Sequence, residues 1–182
     1  MSAARGRILL HVCCAGCAEA CIETLHAAGW SVALFFSNSN IDPPEEYQRR
    51  LKDFRRLCST HGLQGIEDTY DHERWRAAIA GLEQEPERGQ RCSSCFSYNL
   101  ERTAQAMRDH GFDAFTTTLT VSPHKVSAQV FAAARAWPEF LAADFKKQDG
   151  FRRSVAASRR QGYYRQHYCG CEFSLRPRNH TV

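Results

Sequence analysis

The run Ile8-Leu-Leu-His-Val12, which leads straight into Cys13 and Cys14, constrains this chain more than any other stretch. Near-continuous apolar side chains over so short a span predict a strand covered on both faces. The residues from Ala18 to Ala28 favour helix, and Gly29 suits the left-handed position just past a helix end. Cys13, Cys14 and Cys17 therefore fall on a strand-to-helix turn, with Cys21 one helical turn further on. Open α/β sheets bind their ligands at the carboxyl ends of such strands. The free amides at the start of the helix favour negative charge, which lowers thiol pKa and suits thiolate ligation.

The same alternation continues along the chain. Trp30–Phe36 reads as a second strand, followed by the polar loop Ser37–Asn40. Asp42 is the expected N-cap of a helix opened by Pro43 and Pro44, with Tyr47, Leu51, Phe54, Leu57 and Cys58 on one apolar face. Gln64–Tyr70 is a shorter third strand, Asp71–Leu82 a helix and Glu83–Gly89 a charged loop. Cys92 and Cys95 open another helix that stops at Gly111. Phe112–Val121 supplies a fourth strand, Ser127–Ala136 a helix, and Glu139–Asp144 a last short strand. Helices long enough for crossovers between strands imply an α/β fold, a parallel sheet with helices on both faces. The 182 residues are expected to form one domain, residues 1–182, with a basic and aromatic C-terminal extension, residues 145–175, folding back on the site.

No apolar run reaches the roughly 18 residues of a membrane span, and the stretch after the first few residues is too short for a secretory signal. A cytoplasmic location without a membrane partner is expected. Nine cysteines then need a reason, because cytosolic thiols stay reduced and clustered ones bind metal or do redox chemistry. Cys92-Ser-Ser-Cys95 has a spacing shared by zinc sites, iron–sulfur sites and dithiol pairs. With Cys13, Cys14 and Cys17 it offers four or five thiolates to one metal centre. Structural zinc usually pins loops in a domain that lacks a core, and this chain has one, so a functional cluster is the expectation. Nucleotide binding is disfavoured, since Gly16 stands alone among cysteines where a phosphate loop would need several glycines. Cys169-Gly-Cys171 projects two sulfurs to one side and reads as a redox pair or as extra metal ligands returning to the first site.

The net charge of +4 permits an anionic partner without requiring one. Arg49, Arg50, Lys52, Arg55 and Arg56 are either a solvated basic face or a phosphate contact. Lys125 is either an exposed lysine or a ligand to phosphate or ribose. Between Phe145 and Tyr168 cations alternate with aromatic rings, a pattern that suits unpaired RNA bases and also a basic helix packed on the domain.

These motifs together resemble the cobalamin-independent epoxyqueuosine reductase family. The resemblance is carried by Leu9-Leu-His-Val-Cys13-Cys14-Ala15, Phe35-Phe36 with Asn38 and Asn40, Pro44 with Glu46-Tyr47, and Arg91-Cys92 with Cys95. It continues through Thr116-Thr-Thr-Leu119, Ser122-Pro123, Phe145-Lys-Lys, Tyr164-Arg-Gln166 and Tyr168-Cys-Gly-Cys171-Glu-Phe-Ser174, so it spans nearly the whole chain in order. It implies a Rossmann-like sheet of the adenine-nucleotide α-hydrolase type and reduction of epoxyqueuosine to queuosine in the wobble position of tRNA. It also implies a [4Fe–4S] cluster on Cys13, Cys14, Cys92 and Cys95, and an additional iron ion beside it. Cys17 stands where some relatives carry aspartate, as a metal ligand would. Two departures are visible: Gly16 replaces a common proline and is expected to loosen the turn, and Ala156–Gln161 replaces a Ser-Lys-Glu-type segment.

Opening an epoxide to an alkene consumes two electrons and two protons and releases water. Cys169 and Cys171 can supply the electrons by closing to a disulfide or can ligate the extra iron; with Cys17 they are the expected catalytic residues. His11, Tyr164 and His167 are candidate proton donors, although a histidine inside a buried strand is more often a satisfied core residue. The electron donor is left open. Two other classes remain at this point: a zinc-structured RNA-binding module, and a thiol–disulfide oxidoreductase using Cys92 and Cys95.

Overall fold

The chain winds around its first strand, β1 (Gly6–His11), which sits inside a four-stranded parallel sheet of order β3-β2-β1-β4. The computed structural model describes residues 5–174; residues 1–4 and 175–182 lie outside it, and with them the last position of the 145–175 extension. β2 (Trp30–Phe36) pairs with β1 from Gly6↔Trp30 to His11↔Phe35, and β4 (Ala114–Thr117) pairs on the other side from Ile8↔Ala114 to His11↔Thr117. β3 (Gly65–Glu67) completes the sheet beyond β2.

Alternation along β1 divides the core into two layers. Ile8, Leu10 and Val12 pack with Ile22 and Leu25 of α1 (Ala15–Ala27) and Phe54 of α2 (Pro44–His61). Leu9 faces the other way, against Leu100 and Ala104 of α4 (Gln90–Asp109) and Val130 of α5 (Ser127–Ala133). Ile8, Leu9 and Leu10 have no exposed surface. Each such burial is worth about 1.5–3 kcal/mol, and helices on both faces are what a parallel sheet requires.

Element boundaries differ from the propensity reading where packing or side-chain bonds intervene. α1 begins at Ala15 rather than Ala18, because Ala15 and Ala18 are both buried in the core, and this takes Cys17 into the first helical turn. β3 is only three residues long, since Asp68 turns out of the sheet to receive the Ser37 hydroxyl and the Arg102 guanidinium. β4 ends at Thr117, whose hydroxyl oxygen accepts from Leu119 N at 3.1 Å and caps the 3-10 turn Thr118–Val121. The expected strand at Glu139–Asp144 is reduced to one parallel bridge between Phe115 and Phe140. α3 (His72–Ala78) is shorter than expected and is capped by the Asp71 carboxylate, which accepts from Arg74 N.

Asp42 is not the cap of α2; that position falls to Pro43. The Asp42 backbone is instead held by the tail: its N–H donates to Gly170 O at 2.9 Å, and its carbonyl accepts from Tyr168 Oη at 2.6 Å. The last helix, α6 (Gly150–Gln161), lies along α1. Gly16 makes that approach possible rather than loosening the turn. A Cβ there would stand 2.8 Å from Ser158 Oγ and 2.9 Å from its Cβ. No helix among the described residues is long and apolar enough to cross a membrane.

Candidate metal and thiol centre

The strand order changes direction between β1 and β4, and the crevice at their carboxyl ends is where an open α/β sheet takes its ligand. Cys13 follows β1 there, Thr118 follows β4, and Asn38 follows β2 with its amide donating to Val12 O at 2.9 Å. Cys14 is the extended N-cap residue of α1 and Cys17 sits one turn later, so both side chains return to the same spot. The ligand atoms of Cys13, Cys14 and Cys17 all lie within 4.8 Å of one another, with 2.6 Å between the sulfurs of Cys14 and Cys17. Three thiols so placed can hold one metal ion.

Their protonation is unequal because they share hydrogen bonds. The thiols of Cys14 and Cys17 bond to the Cys13 sulfur and hold its pKa well below the ordinary thiol value. The same bonds push Cys14 up to about 12 and raise Cys17 further. Thr118 assists Cys13 directly: its hydroxyl donates to the sulfur at 3.3 Å while its oxygen accepts from Cys13 N at 3.1 Å. Cys13 is thus the thiolate on which the group is built.

Cys92 and Cys95 lie at the start of α4, as the spacing predicts. Neither belongs to the group of sulfurs within 4.8 Å. Cys92 accepts from Arg88 N at 3.3 Å and packs on the same apolar layer as Cys13. Cys95 packs with Trp75, Tyr98 and Cys171. Burial raises Cys92 and pushes Cys95 up to about 12, while the Trp75 indole favours the Cys95 thiolate. That indole N–H is buried and has no well-aligned partner of its own, which fits a site completed when Cys95 is ionised.

The tail brings the remaining sulfurs. Cys169 is exposed and Cys171 is buried. A hydrogen bond from Cys171 draws the Cys169 pKa down to about 5, and the Ser174 hydroxyl, 3.2 Å from the Cys169 sulfur, adds to it. The same bond raises Cys171. Lys125 links the two sets. Burial disfavours its charge, but the sulfurs of Cys13, Cys169, Cys17 and Cys14 outweigh that and keep it a cation. Lys125 is therefore neither an exposed helix-start lysine nor free for phosphate. Gln166, from the tail, favours the Cys14 thiolate slightly.

Other candidates have structural duties. His11 is fully buried, with Nδ1 2.9 Å from Thr117 Oγ1 and Nε2 2.9 Å from Ser37 O, a satisfied core histidine. Cys21 is buried and Cys58 half-buried in the core of the first layer. Of the α2 arginines only Arg50 is buried; Arg49, Arg55 and Arg56 are exposed and make contacts within the protein. Arg55 makes two 2.7 Å bonds to Glu67, Arg56 reaches Asp53 and Gln161 O, and Arg49 lies over the Tyr164 ring. Thr118, Trp75 and Gln166 were not singled out by the sequence as functional, although Thr118 and Gln166 lie within motifs that carried the resemblance.

A doubly wound parallel sheet with three cysteines gathered at its switch point defines an α/β protein whose ligand crevice is lined by thiols. The fold is similar to that of the U34-tRNA thiolase NcsA from Methanococcus maripaludis (TM-score 0.58, 8% identity, 95% of this chain and 62% of that one). It is also similar to a predicted tRNA methyltransferase subunit from Methanocaldococcus jannaschii (TM-score 0.54, 12% identity, 88% and 93%). The family model Epoxyqueuosine reductase QueH matches residues 8–177. Proteins described as epoxyqueuosine reductase QueH are 36% identical in Histophilus somni (95% of this chain, 74% of that one) and 38% in Streptococcus pyogenes (94% and 71%). One from Thermotoga maritima is 34% identical over 93% of this chain and 91% of its own length. The chain belongs to the epoxyqueuosine reductase QueH family.

Proposed function

We propose that this protein reduces epoxyqueuosine to queuosine in the wobble position of tRNA, in the cytoplasm. A [4Fe–4S] cluster held by Cys13, Cys14, Cys92 and Cys95 would serve the reaction, with Cys17 a ligand to an additional iron. The observation that carries the reading is the Cys13–Cys14–Cys17 group at the switch point of a chain in this family. The donor set suits such a cofactor: every candidate ligand is sulfur, one thiol is already acidified, and an unpartnered indole N–H faces Cys95. When bound, a cluster supplies electrons one at a time and an open iron position supplies Lewis acidity.

The chain's own groups account for the rest of the balance. Cys169 and Cys171, one thiolate and one thiol, hold two electrons and release them with one proton on closing to a disulfide, so the reduction draws its second proton from a separate donor. The exposed, acidified Cys169 is the reactive partner and buried Cys171 the resolving one. Lys125 keeps the negative charge of the surrounding thiolates tolerable in a half-buried site. His167, exposed on the tail, is the proton donor left once His11 and Tyr164 are seen to be engaged elsewhere. The described part of the extension, residues 145–174, serves as a cover on this site, and its exposed Arg159, Arg160 and Arg165 meet the tRNA backbone.

Protein reconstituted without oxygen is expected to contain iron and sulfide, to absorb in the visible through thiolate-to-iron charge transfer, and to convert epoxyqueuosine tRNA with a chemical reductant. Cys13→Ser and Cys92→Ser abolish both cluster and turnover. Turnover retained in either variant, or a colourless active protein with one zinc and no iron, would sink the assignment.

A further inference from the structure

The Cys169–Gly170–Cys171 turn belongs to no helix or strand, yet it is tied to the beginning of α2 from two sides. Arg50, with 2% of its side chain exposed, donates from Nε to Glu46 at 2.7 Å. Its two terminal nitrogens donate to the carbonyls of Cys169 at 3.1 Å and Tyr168 at 3.3 Å. Glu46 also accepts the Tyr164 hydroxyl at 2.9 Å, so the carboxylate ties a third point of the tail to the same guanidinium. From the other side Asp42 N donates to Gly170 O at 2.9 Å and Asp42 O accepts the Tyr168 hydroxyl. Gly170 lies in the left-handed region at φ 114, and a Cβ there would come within 2.9 Å of Ile41 and 3.2 Å of Arg50. The backbone of the turn is therefore pressed directly onto the guanidinium.

A buried charge of this kind is costly unless its donors are matched. Only a planar fork offers one edge to a carboxylate and its other nitrogens to two consecutive carbonyls; an ammonium has neither the reach nor the geometry. We infer that Arg50 is a positioning residue for the reduction, fixing the backbone on both sides of Cys169 so that its sulfur stays exposed and within reach of Cys171. This rests on the reading of Cys169 and Cys171 as the reducing pair. In that step the Cys169 thiolate and the Cys171 thiol lose two electrons and one proton and form one S–S bond, and the second proton comes from solvent by way of His167. The two C–O bonds of the epoxide break, a C=C bond forms, and the oxygen leaves as water. A small dithiol or other two-electron thiol reductant then restores the pair. Arg50 touches no reacting atom; it sets the distance and orientation of the two sulfurs.

The test uses the metal-loaded full chain and four variants: Arg50→Gln, Arg50→Lys, Gly170→Ala and Cys169→Ser. Gly170→Ala pushes the turn off the guanidinium while leaving the Arg50–Glu46 pair intact, so it guards against a failure of Arg50 variants to fold. The dithiol–disulfide equilibrium of Cys169 and Cys171 is read by alkylation and peptide mass in a dithiothreitol redox buffer. In Arg50→Gln and Gly170→Ala this equilibrium is expected to shift about tenfold, with kcat falling about tenfold and KM for tRNA changing less than about threefold, the scale of losing a buried charged hydrogen bond. Arg50→Lys does not restore either value, and amide exchange across residues 163–171 quickens. Unchanged equilibrium and kcat in folded Arg50→Gln and Gly170→Ala, with Cys169→Ser inactive, overturn the role of Arg50 alone. Full rescue by lysine also overturns it, since charge rather than the fork would then suffice. Turnover that survives Cys169→Ser overturns the reducing pair and the role of Arg50 with it.

Discussion

At the scale of single residues, the site divides its sulfurs by the bonds they make. Cys13 and Cys169 are drawn toward the thiolate while their partners Cys14, Cys17 and Cys171 are pushed the other way. Each acidic sulfur thus has a neighbour that stays protonated and donates to it. The sign of the pH dependence follows. Cys169, lowered to about 5, is a thiolate above that pH, and the bonds that stabilise it are lost as pH falls through about 5. In the metal-free protein, alkylation of Cys169 by iodoacetamide should stay fast from neutral pH down to that point, whereas an ordinary thiol slows below about 8.5. Peptide mass spectrometry across a pH series checks this, and a midpoint near the ordinary thiol value would count against it. The residue types were legible in the sequence, since cysteines at these spacings have few uses. Which thiol ionises was not, because that depends on how the neighbouring sulfurs turn toward one another in the fold, and on Thr118 and Lys125, far from Cys13 in the chain.

Among the elements, α1 and α6 carry the lesson. Gly16 and the segment Ala156–Gln161, the two places singled out in the sequence as departures, touch each other. Gly16 is open just where Ser158 packs, so the small residue at one position makes room for the serine at the other. Ser158 is buried with its hydroxyl unpaired, so close packing rather than a hydrogen bond holds the contact. Gly16→Ala should lower stability by about 1–3 kcal/mol through overpacking, and Ser158→Gly should recover most of it. Thermal denaturation of the single and double variants reads the coupling, and simple additivity would argue against it. α2 makes a similar point. Its arginines read in the sequence as a solvated face or a phosphate contact; in the fold Arg50, Arg55 and Arg56 are paired with carboxylates, Arg50 and Arg56 also hold the tail, and only Arg50 is buried. A helix's charge pattern does not reveal which neighbours will consume it.

For the whole molecule, the modest charge of +4 leaves exposed cations on several faces, and the tail contributes Arg159, Arg160 and Arg165 beside the thiol site. Changing Arg159, Arg160 and Arg165 together to alanine should weaken tRNA binding and reduce the salt dependence of log Kd by about two to three units of slope. Equal losses at all salt concentrations would point to a folding defect instead. The sequence by itself determined the parallel α/β sheet and the sulfur-rich edge, because hydrophobic periodicity and close cysteine spacings are local signals that survive any packing. It also located the tail's two cysteines as chemically special. Only the tertiary structure decided that α1 starts early enough to turn Cys17 inward, that Lys125 faces thiolates, and that Arg50 is buried under the Cys169–Cys171 turn. Those outcomes depend on groups about 30 to 160 residues apart meeting in a low-dielectric interior, where an unpartnered charge or donor is costly and the fold is selected to pair it.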